Sequence, residues 1–269
     1  MSVKTKKRSS AKKRKGKKQT KDININLLIS AVAVCVVIAV IVSVASLGRS
    51  RRTPAVYDFG KEVAQGVDVS EHNGKVDWEK LAEEYDFAFI RVGYRGYGNG
   101  KITEDKYARE NLKAAEKAGV PVGVYFYTQS VNEKEAQREA AFVLNIVKHY
   151  KLELPVVIDF EYPCDKAGNP VGRLNESNLT AQESTAVINA FLDKVQDKGY
   201  ACGVYASSSV YASQIDTRSL NKSAVIWVAD YNQSVSYDVD YDIWQYSERG
   251  KSDAVSSKYV DLNYWYMKK

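Results

Sequence analysis

The sequence is poor in the residues on which several hydrolytic chemistries depend. Its 269 residues include 2 His and 3 Cys. A zinc hydrolase takes its ligands from His, Cys and acidic side chains, and the histidines are only His72 and His149. His149 closes the helical stretch "IVKHY", at the surface. His72 follows the first strand and suits a structural role or a substrate contact equally. No metal or cofactor is expected. The nucleophile elbow G-x-S-x-G of a serine hydrolase does not occur. The glycine-rich "GYRGYGNG", 93–100, lacks G-x-G-x-x-G spacing and reads as a loop. Of the cysteines, Cys35 lies in an apolar run, Cys164 in a loop and Cys202 on the apolar side of a strand. Three cysteines do not make a disulfide-dense scaffold, and Cys164 and Cys202 read as unbridged.

Positive charge is scarce over most of the chain. The formal net charge is +6, but residues 1–52 hold 14 of the 39 Lys and Arg and only Asp22 of the 33 acids. Residues 53–269 are left with 25 basic and 32 acidic residues. That part is acidic, which excludes a phosphate-tracking surface and hence a nucleic-acid partner.

The basic arm, 1–22, precedes the one long apolar run, "LLISAVAVCVVIAVIVSVASL" at 27–47. At about 1.5 Å per residue such a run crosses a hydrocarbon core roughly 30 Å thick. The expectation is a single membrane-spanning helix over 23–47, followed by a linker at 48–63. The arm outweighs Arg49, Arg51 and Arg52 on the other flank, so the N-terminus is expected in the cytoplasm and the rest outside the cell. The rival reading is a cleaved signal peptide, whose apolar region is usually ~7–15 residues.

From residue 64 onward, short apolar runs alternate with longer amphipathic ones. Strands are expected at 65–69, 86–92, 121–127, 154–160 and 200–205, with helices at about 76–84, 104–118, 132–149 and 180–198. The last helix opens on Thr180 and Glu183, the ends of a capping box. After Tyr205 the rhythm changes: a short helix at 207–214 precedes strands at 224–229, 241–246 and 258–262, with no room for full helices between them. Five βα units and three nearly bare strands predict an α/β fold, a parallel sheet whose eight strands close into an irregular TIM-like (β/α)5(β)3 barrel over 64–269.

"VVIDFEYP", 156–163, places chemistry on that frame. Side chains alternate along a strand, so Val157, Asp159 and Glu161 share one face. A barrel strand covered by helices has an apolar outer face, which turns Asp159 and Glu161 inward at the C-terminal mouth, where barrel enzymes work. The same alternation turns Asp68, Tyr125 and Tyr127 inward. Tyr205, Trp227, Gln245 and Asp261 fall at or near the ends of later strands. Tyr94, Asp230 and Tyr231 complete the candidate substrate contacts. Carboxylates among aromatic walls suit glycoside cleavage, because one acid protonates the leaving oxygen while aromatic faces stack on sugar rings. Crowding raises carboxyl pKa values and keeps a proton available near neutrality. A solvated turn or salt-bridge role would explain the Asp-x-Glu pair taken alone; the convergence of four acids favours catalysis.

Six stretches in order, "GVDVSEHNGKVDWEKL" (66–81), "AGVPVGVYFYT" (118–128), "PVVIDFEY" (155–162), "IWVADY" (226–231), "IWQYS" (243–247) and "VDLNYW" (260–265), resemble the glycoside hydrolase family 25 lysozymes. These are N-acetylmuramidases of bacteria and phages. The resemblance implies cleavage of peptidoglycan between N-acetylmuramic acid and N-acetylglucosamine. It makes Glu161 the general acid, Asp159 the carboxylate that steers the substrate's 2-acetamido group, and Asp68 and Asp261 the tuning acids of the pocket. Two features depart from the family: "RVGYRGYGNG" replaces the threonine-glutamate-glycine of many members, and "CDKAGNPVGRLNESN", 164–178, is inserted after the catalytic strand. The expectation is a membrane-anchored muramidase facing the wall, serving local wall opening for an envelope-spanning complex. The alternatives are a non-catalytic glycan-binding module and a hydrolase of another N-acetylated glycan such as chitin.

Overall fold

The computed structural model describes residues 57–267. The expected arm at 1–22, span at 23–47 and linker as far as residue 56 lie outside the described residues. Among the described residues no helix is long and apolar enough to cross a membrane.

The strands are β1 (Val63–Val69), β2 (Phe87–Arg95), β3 (Ile102–Glu104), β4 (Val122–Tyr127), β5 (Val156–Asp159), β6 (Cys202–Ser207), β7 (Val225–Ala229), β8 (Ile243–Gly250) and β9 (Val260–Tyr266). The helices are α1 (Trp78–Glu84), α2 (Ala108–Ala118), α3 (Glu133–Val147), α4 (Arg173–Ser177), α5 (Ala181–Gln196) and α6 (Ser208–Gln214). Pairing runs β1-β9-β8-β7-β6-β5-β4-β2, and β1 also pairs with β2, so eight strands close on themselves. Closure leaves no free edge in the barrel. Helix starts follow the local chemistry: the Asp77, Asn132 and Thr180 side chains each accept a backbone N–H of the helix they precede.

The period-2 alternation of the strands divides the core into two layers. Val67, Val69, Val122, Val124, Phe126, Ile158 and Phe160 pack outward with the buried faces of α2, α3 and α5. Phe87, Phe89, Val157, Trp227 and Trp265 fill the barrel interior. Two glycines make that interior possible. A Cβ at Gly66 would overlap the ring of Phe87, and one at Gly123 would overlap that of Phe89. Each fully buried apolar side chain contributes roughly 1.5–3 kcal/mol.

Three expectations change. Part of the stretch read as linker belongs to the barrel: Phe59 lies against Phe87 and Trp265, with ring centroids 5.5 and 5.7 Å apart, and β1 begins at Val63. An apolar plug at the barrel base was hidden by its polar neighbours. Strand β2 continues past a bulge near Val92 and turns back into β3, where a loop and the start of a helix were expected. The sheet is also not wholly parallel. β9 runs antiparallel to both β8 and β1, because the short connection after β8 leaves no crossover helix to return the chain.

The outer face of β8 and β9 is covered by its own aromatic side chains. Trp244 and Tyr246 on β8 lie over Tyr264 on β9, and the Tyr246 and Tyr264 rings stack at 4.3 Å and 13°. Trp244 Nε1 donates to the Asp230 carbonyl at 2.7 Å. These half-buried rings do there what helices do elsewhere on the barrel.

Candidate active site

The mouth gathers the carboxylates. Asp159 ends β5, and its carbonyl accepts from Thr128 N at 3.0 Å. Phe160 N donates to the Tyr205 carbonyl at 2.9 Å, and Gln129 Nε2 donates to the Glu161 carbonyl at 3.2 Å. These bonds hold the chain extended beyond the strand. Phe160 therefore stays in the outer core, while Asp159 and Glu161 both line a cavity of about 420 Å³. Asp68, Tyr125, Tyr127, Tyr205, Trp227, Tyr231, Gln245 and Asp261 line the same cavity.

Asp261 reaches the mouth by an unexpected route. It is the second residue of β9, not close to its end. Because β9 is reversed, its beginning lies at the C-terminal end of the parallel strands, and Asp261 stands opposite Asp68 in the ladder. The two carboxyls hydrogen-bond to each other. Asp68 Oδ2 also accepts from Gln245 Nε2 and Asn263 Nδ2, each at 2.9 Å. Gln245 Oε1 in turn accepts from Tyr205 Oη at 2.9 Å and Tyr231 Oη at 2.8 Å, and Asn263 Oδ1 accepts from Trp227 Nε1 at 2.8 Å. The aromatic walls and the acids thus form one buried network.

Burial and mutual repulsion keep protons in this cleft. Burial, then the charge of Asp68 and its hydrogen bond, pushes Asp261 up to about 8. Asp68 is also raised by burial, against the opposing hydrogen bonds from Asn263 and Gln245. The pair therefore shares a proton held mainly on Asp261, which donates to Asp68. Asp159 is pushed well above the carboxylate range by burial and by Glu161 and Asp68, with Arg91 opposing. Burial pushes Glu161 up to about 7 despite its hydrogen bond with Tyr205; Asp68 and Glu248 act in the same sense as burial. The Tyr205 hydroxyl has one proton, and it faces two acceptors, Gln245 Oε1 and the Glu161 carboxyl. Asp159 Oδ1 is buried with no hydrogen-bond partner, an acceptor aimed at nothing within the protein. A buried acceptor left unmet costs about 1–3 kcal/mol.

Two expected contacts lie elsewhere. Asp230 does not line the cleft: its carboxylate accepts from Ser208 Oγ at 2.6 Å, Ser236 Oγ at 2.5 Å and Asn232 Nδ2 at 2.7 Å. Against a burial cost that acts upward, these bonds hold its carboxyl well below the usual range. It shapes the loop after β7. Tyr94 lies in an adjoining cavity, its ring 5.2 Å from the Arg91 guanidinium. Cys164 is exposed, Cys202 is buried, and both are free.

Several lining residues escape a reading of the sequence alone. Arg91 is inward by the same alternation as Phe87 and Phe89, a signal that was available. It is tied to Asp105 at 2.8 Å and Glu71 at 3.1 Å. Glu71 belongs to a one-turn helix, Glu71–Asn73, fixed by reciprocal bonds between Ser70 and Asn73. That turn brings His72 to the cleft. Asn263, fully buried behind the lining and donating to Asp68, shares a face with Asp261 two positions away. Glu248 follows register shifts in β8 that break the alternation, so periodicity gave no sign of it.

Comparison with known proteins identifies the family and the fold. The family model for glycosyl hydrolases family 25 matches residues 67–255. The modular autolysin LytC of Streptococcus pneumoniae, solved in complex with a synthetic peptidoglycan ligand, superposes with a TM-score of 0.65 at 26% identity. The match covers 76% of this chain but 47% of the autolysin, so the chain spans about half that protein's length. A family 25 glycosyl hydrolase from Bacillus anthracis superposes with a TM-score of 0.61 at 25% identity, over 77% of this chain and 90% of the other. The uncharacterized protein YegX of Escherichia coli K12 is 25% identical over 222 residues, 79% of this chain and 71% of YegX.

Proposed function

The chain belongs to glycosyl hydrolase family 25, and we propose that it cuts peptidoglycan glycan strands at the β-1,4 bond between N-acetylmuramic acid and N-acetylglucosamine. The observation that carries this reading is the unmet, buried Asp159 Oδ1 beside a Glu161 whose carboxyl titrates at about 7. The first needs a donor such as an amide N–H. The second keeps a proton for a leaving oxygen at neutral pH.

In this reading Glu161 gives its proton to the glycosidic oxygen as the C1–O bond breaks. The substrate's own acetamido oxygen attacks C1 and forms an oxazolinium ring. Asp159 Oδ1 accepts the acetamido N–H; the positive charge that develops there draws the raised Asp159 carboxyl down, so its proton passes to water and the carboxylate stabilises the ring. Water then adds to C1 with Glu161, now a carboxylate, taking its proton. The ring opens with overall retention. Asp68 and Asp261 tune the charge beside this pair. Tyr127 and Tyr231 offer rings to the sugars above a floor of the partly buried Tyr125 and the buried Tyr205 and Trp227, and Gln245 fixes the Tyr205 and Tyr231 hydroxyls. The autolysin solved with a peptidoglycan ligand supports the substrate class.

The test is digestion of purified sacculi by the full-length protein, with product mass spectrometry. Reducing-end muramic acid is the expected product. Reducing-end glucosamine from chitin oligosaccharides alone would favour a different N-acetylated substrate. Tight glycan binding with no cleavage would make the chain a binding module.

The proposal extends to place. Residues 23–47 anchor the chain in the cell membrane, with the N-terminus in the cytoplasm and the barrel outside, within reach of nearby wall only. Such a tether suits local opening of the wall for an envelope-spanning complex. Proteolysis of intact protoplasts should remove the barrel; full protection of the barrel would reverse the orientation. Crosslinking that recovers no envelope proteins would remove the complex.

A further inference from the structure

Beside the catalytic cavity lies a second, of about 730 Å³, and the two share His72, Arg91 and Tyr127. Its size is within the range of small-ligand sites. The far wall is made by the loop after β2, with Pro163 beside it, and that loop is locked from behind by the insert after β5, the second segment that departs from the family pattern. Arg95 forms a buried ion pair with Glu139 at 2.6 Å and donates to the Gly100 carbonyl at 2.8 Å. Gly96 N donates to the Lys101 carbonyl, and Gly100 N to the Gly96 carbonyl, each at 2.9 Å.

From the other side, Arg173 N donates to the Tyr97 carbonyl at 3.2 Å. The Arg173 guanidinium grips Glu135 at 2.8 and 3.0 Å and the Gln129 carbonyl at 2.9 Å. Gly172 lets the segments meet. Its φ is +88°, and a Cβ there would come 2.8 Å from that of Tyr97. Backbone held from both sides presents a Tyr97 side chain that is nevertheless 55% exposed. A large exposed ring on immobilised backbone loses little freedom when it binds. Its face is available to the apolar face of a pyranose, and Tyr94 lines the same cavity.

We propose that this cavity is a second glycan subsite, in which Tyr97 stacks on a further N-acetylhexosamine of the strand being cut. The inference rests on the glycan-hydrolase reading above. The insert serves the subsite by holding the loop, so it extends the groove and does not close it. Long strands gain a contact that short oligosaccharides cannot make.

The experiment compares Tyr97→Ala and Tyr97→Trp with the parent in the full-length protein, on glycan chains of increasing length. With Tyr97→Ala, kcat/KM on long strands should fall roughly threefold to tenfold more than on the shortest chain cleaved, through KM. Tyr97→Trp should keep the length preference. Equal effects on all lengths, or none, would overturn the subsite while leaving the hydrolase reading intact. Calorimetric binding of the same chains to Glu161→Gln, with and without Tyr97→Ala, separates the two claims. If the parent cleaves no glycan yet longer chains bind more tightly through Tyr97, the subsite stands and the hydrolase reading falls.

Discussion

Asp68 on β1 and Asp261 on β9 stand directly opposite each other in an antiparallel ladder and share a proton at the mouth of the barrel. Two carboxyls so placed cannot both ionise cheaply. Gln245 and Asn263 donate to Asp68, which makes it the better home for the negative charge and leaves the proton on Asp261.

Stability should therefore fall as pH rises. Asp261 and Glu161 titrate at about 8 and about 7 in the folded protein, against roughly 3.9 and 4.3 for Asp and Glu in an unfolded chain. The folded state binds more protons between those limits, so this contribution is complete below about pH 4 and lost as pH passes through 7 and 8. Asp261→Asn keeps a donor toward Asp68 without a titrating proton. Melting curves from pH 5 to 8.5 should show a shallower decline for that variant than for the parent; identical slopes would remove the shared proton.

Glu161→Gln should slow turnover by about 10²–10⁴ with little change in melting temperature or glycan affinity. Release of soluble muropeptides from sacculi measures the first, and calorimetry the second. In the parent, the rate should drop on the alkaline side of about pH 7 as Glu161 loses its proton.

Asp159→Asn should reduce kcat by roughly 10²–10³. An amide can still point an oxygen at the acetamido N–H but cannot release a proton to become the carboxylate that opposes the developing cation. Anomer-resolved NMR of the first product should show retention in the parent. Inversion there would discard neighbouring-group participation.

Gln245→Leu should unfold at lower denaturant concentration than the parent. It strips Tyr205, Tyr231 and Asp68 of a shared partner, and a buried group left unpaired costs about 1–3 kcal/mol. A midpoint equal to the parent's would mean that water replaces the amide without loss.

Glu139→Gln tests the support of the loop after β2. Both partners of the Arg95–Glu139 ion pair are nearly inaccessible, with side chains 7% and 0% exposed. Breaking a buried pair on one side costs about 3–5 kcal/mol. Chemical denaturation should register a loss of that order.

The site was legible where it depended on neighbours along the chain. Asp159 and Glu161 point inward because Val156, Ile158 and Phe160 must meet helices, and Asp68, Tyr125 and Tyr127 follow the same rule. Asp230 looked like one more acid at a strand end, but three side chains that satisfy it come from the loop and α6 and could not be counted beforehand. Glu248 enters after irregularities in β8, where alternation stops predicting direction.

The order of the eight barrel strands and of the longer helices between them, the inward face of each parallel strand and the acidic character of the barrel follow from the sequence itself, because periodicity and charge are local properties of the chain. Tertiary structure decided the reversal of β9, which carries Asp261 to the mouth, the division of protons among the four acids, and the joining of the insert to the loop that bears Tyr97. Strand direction, burial and electrostatic coupling are sums over residues far apart in sequence, and they acquire values only when the barrel closes.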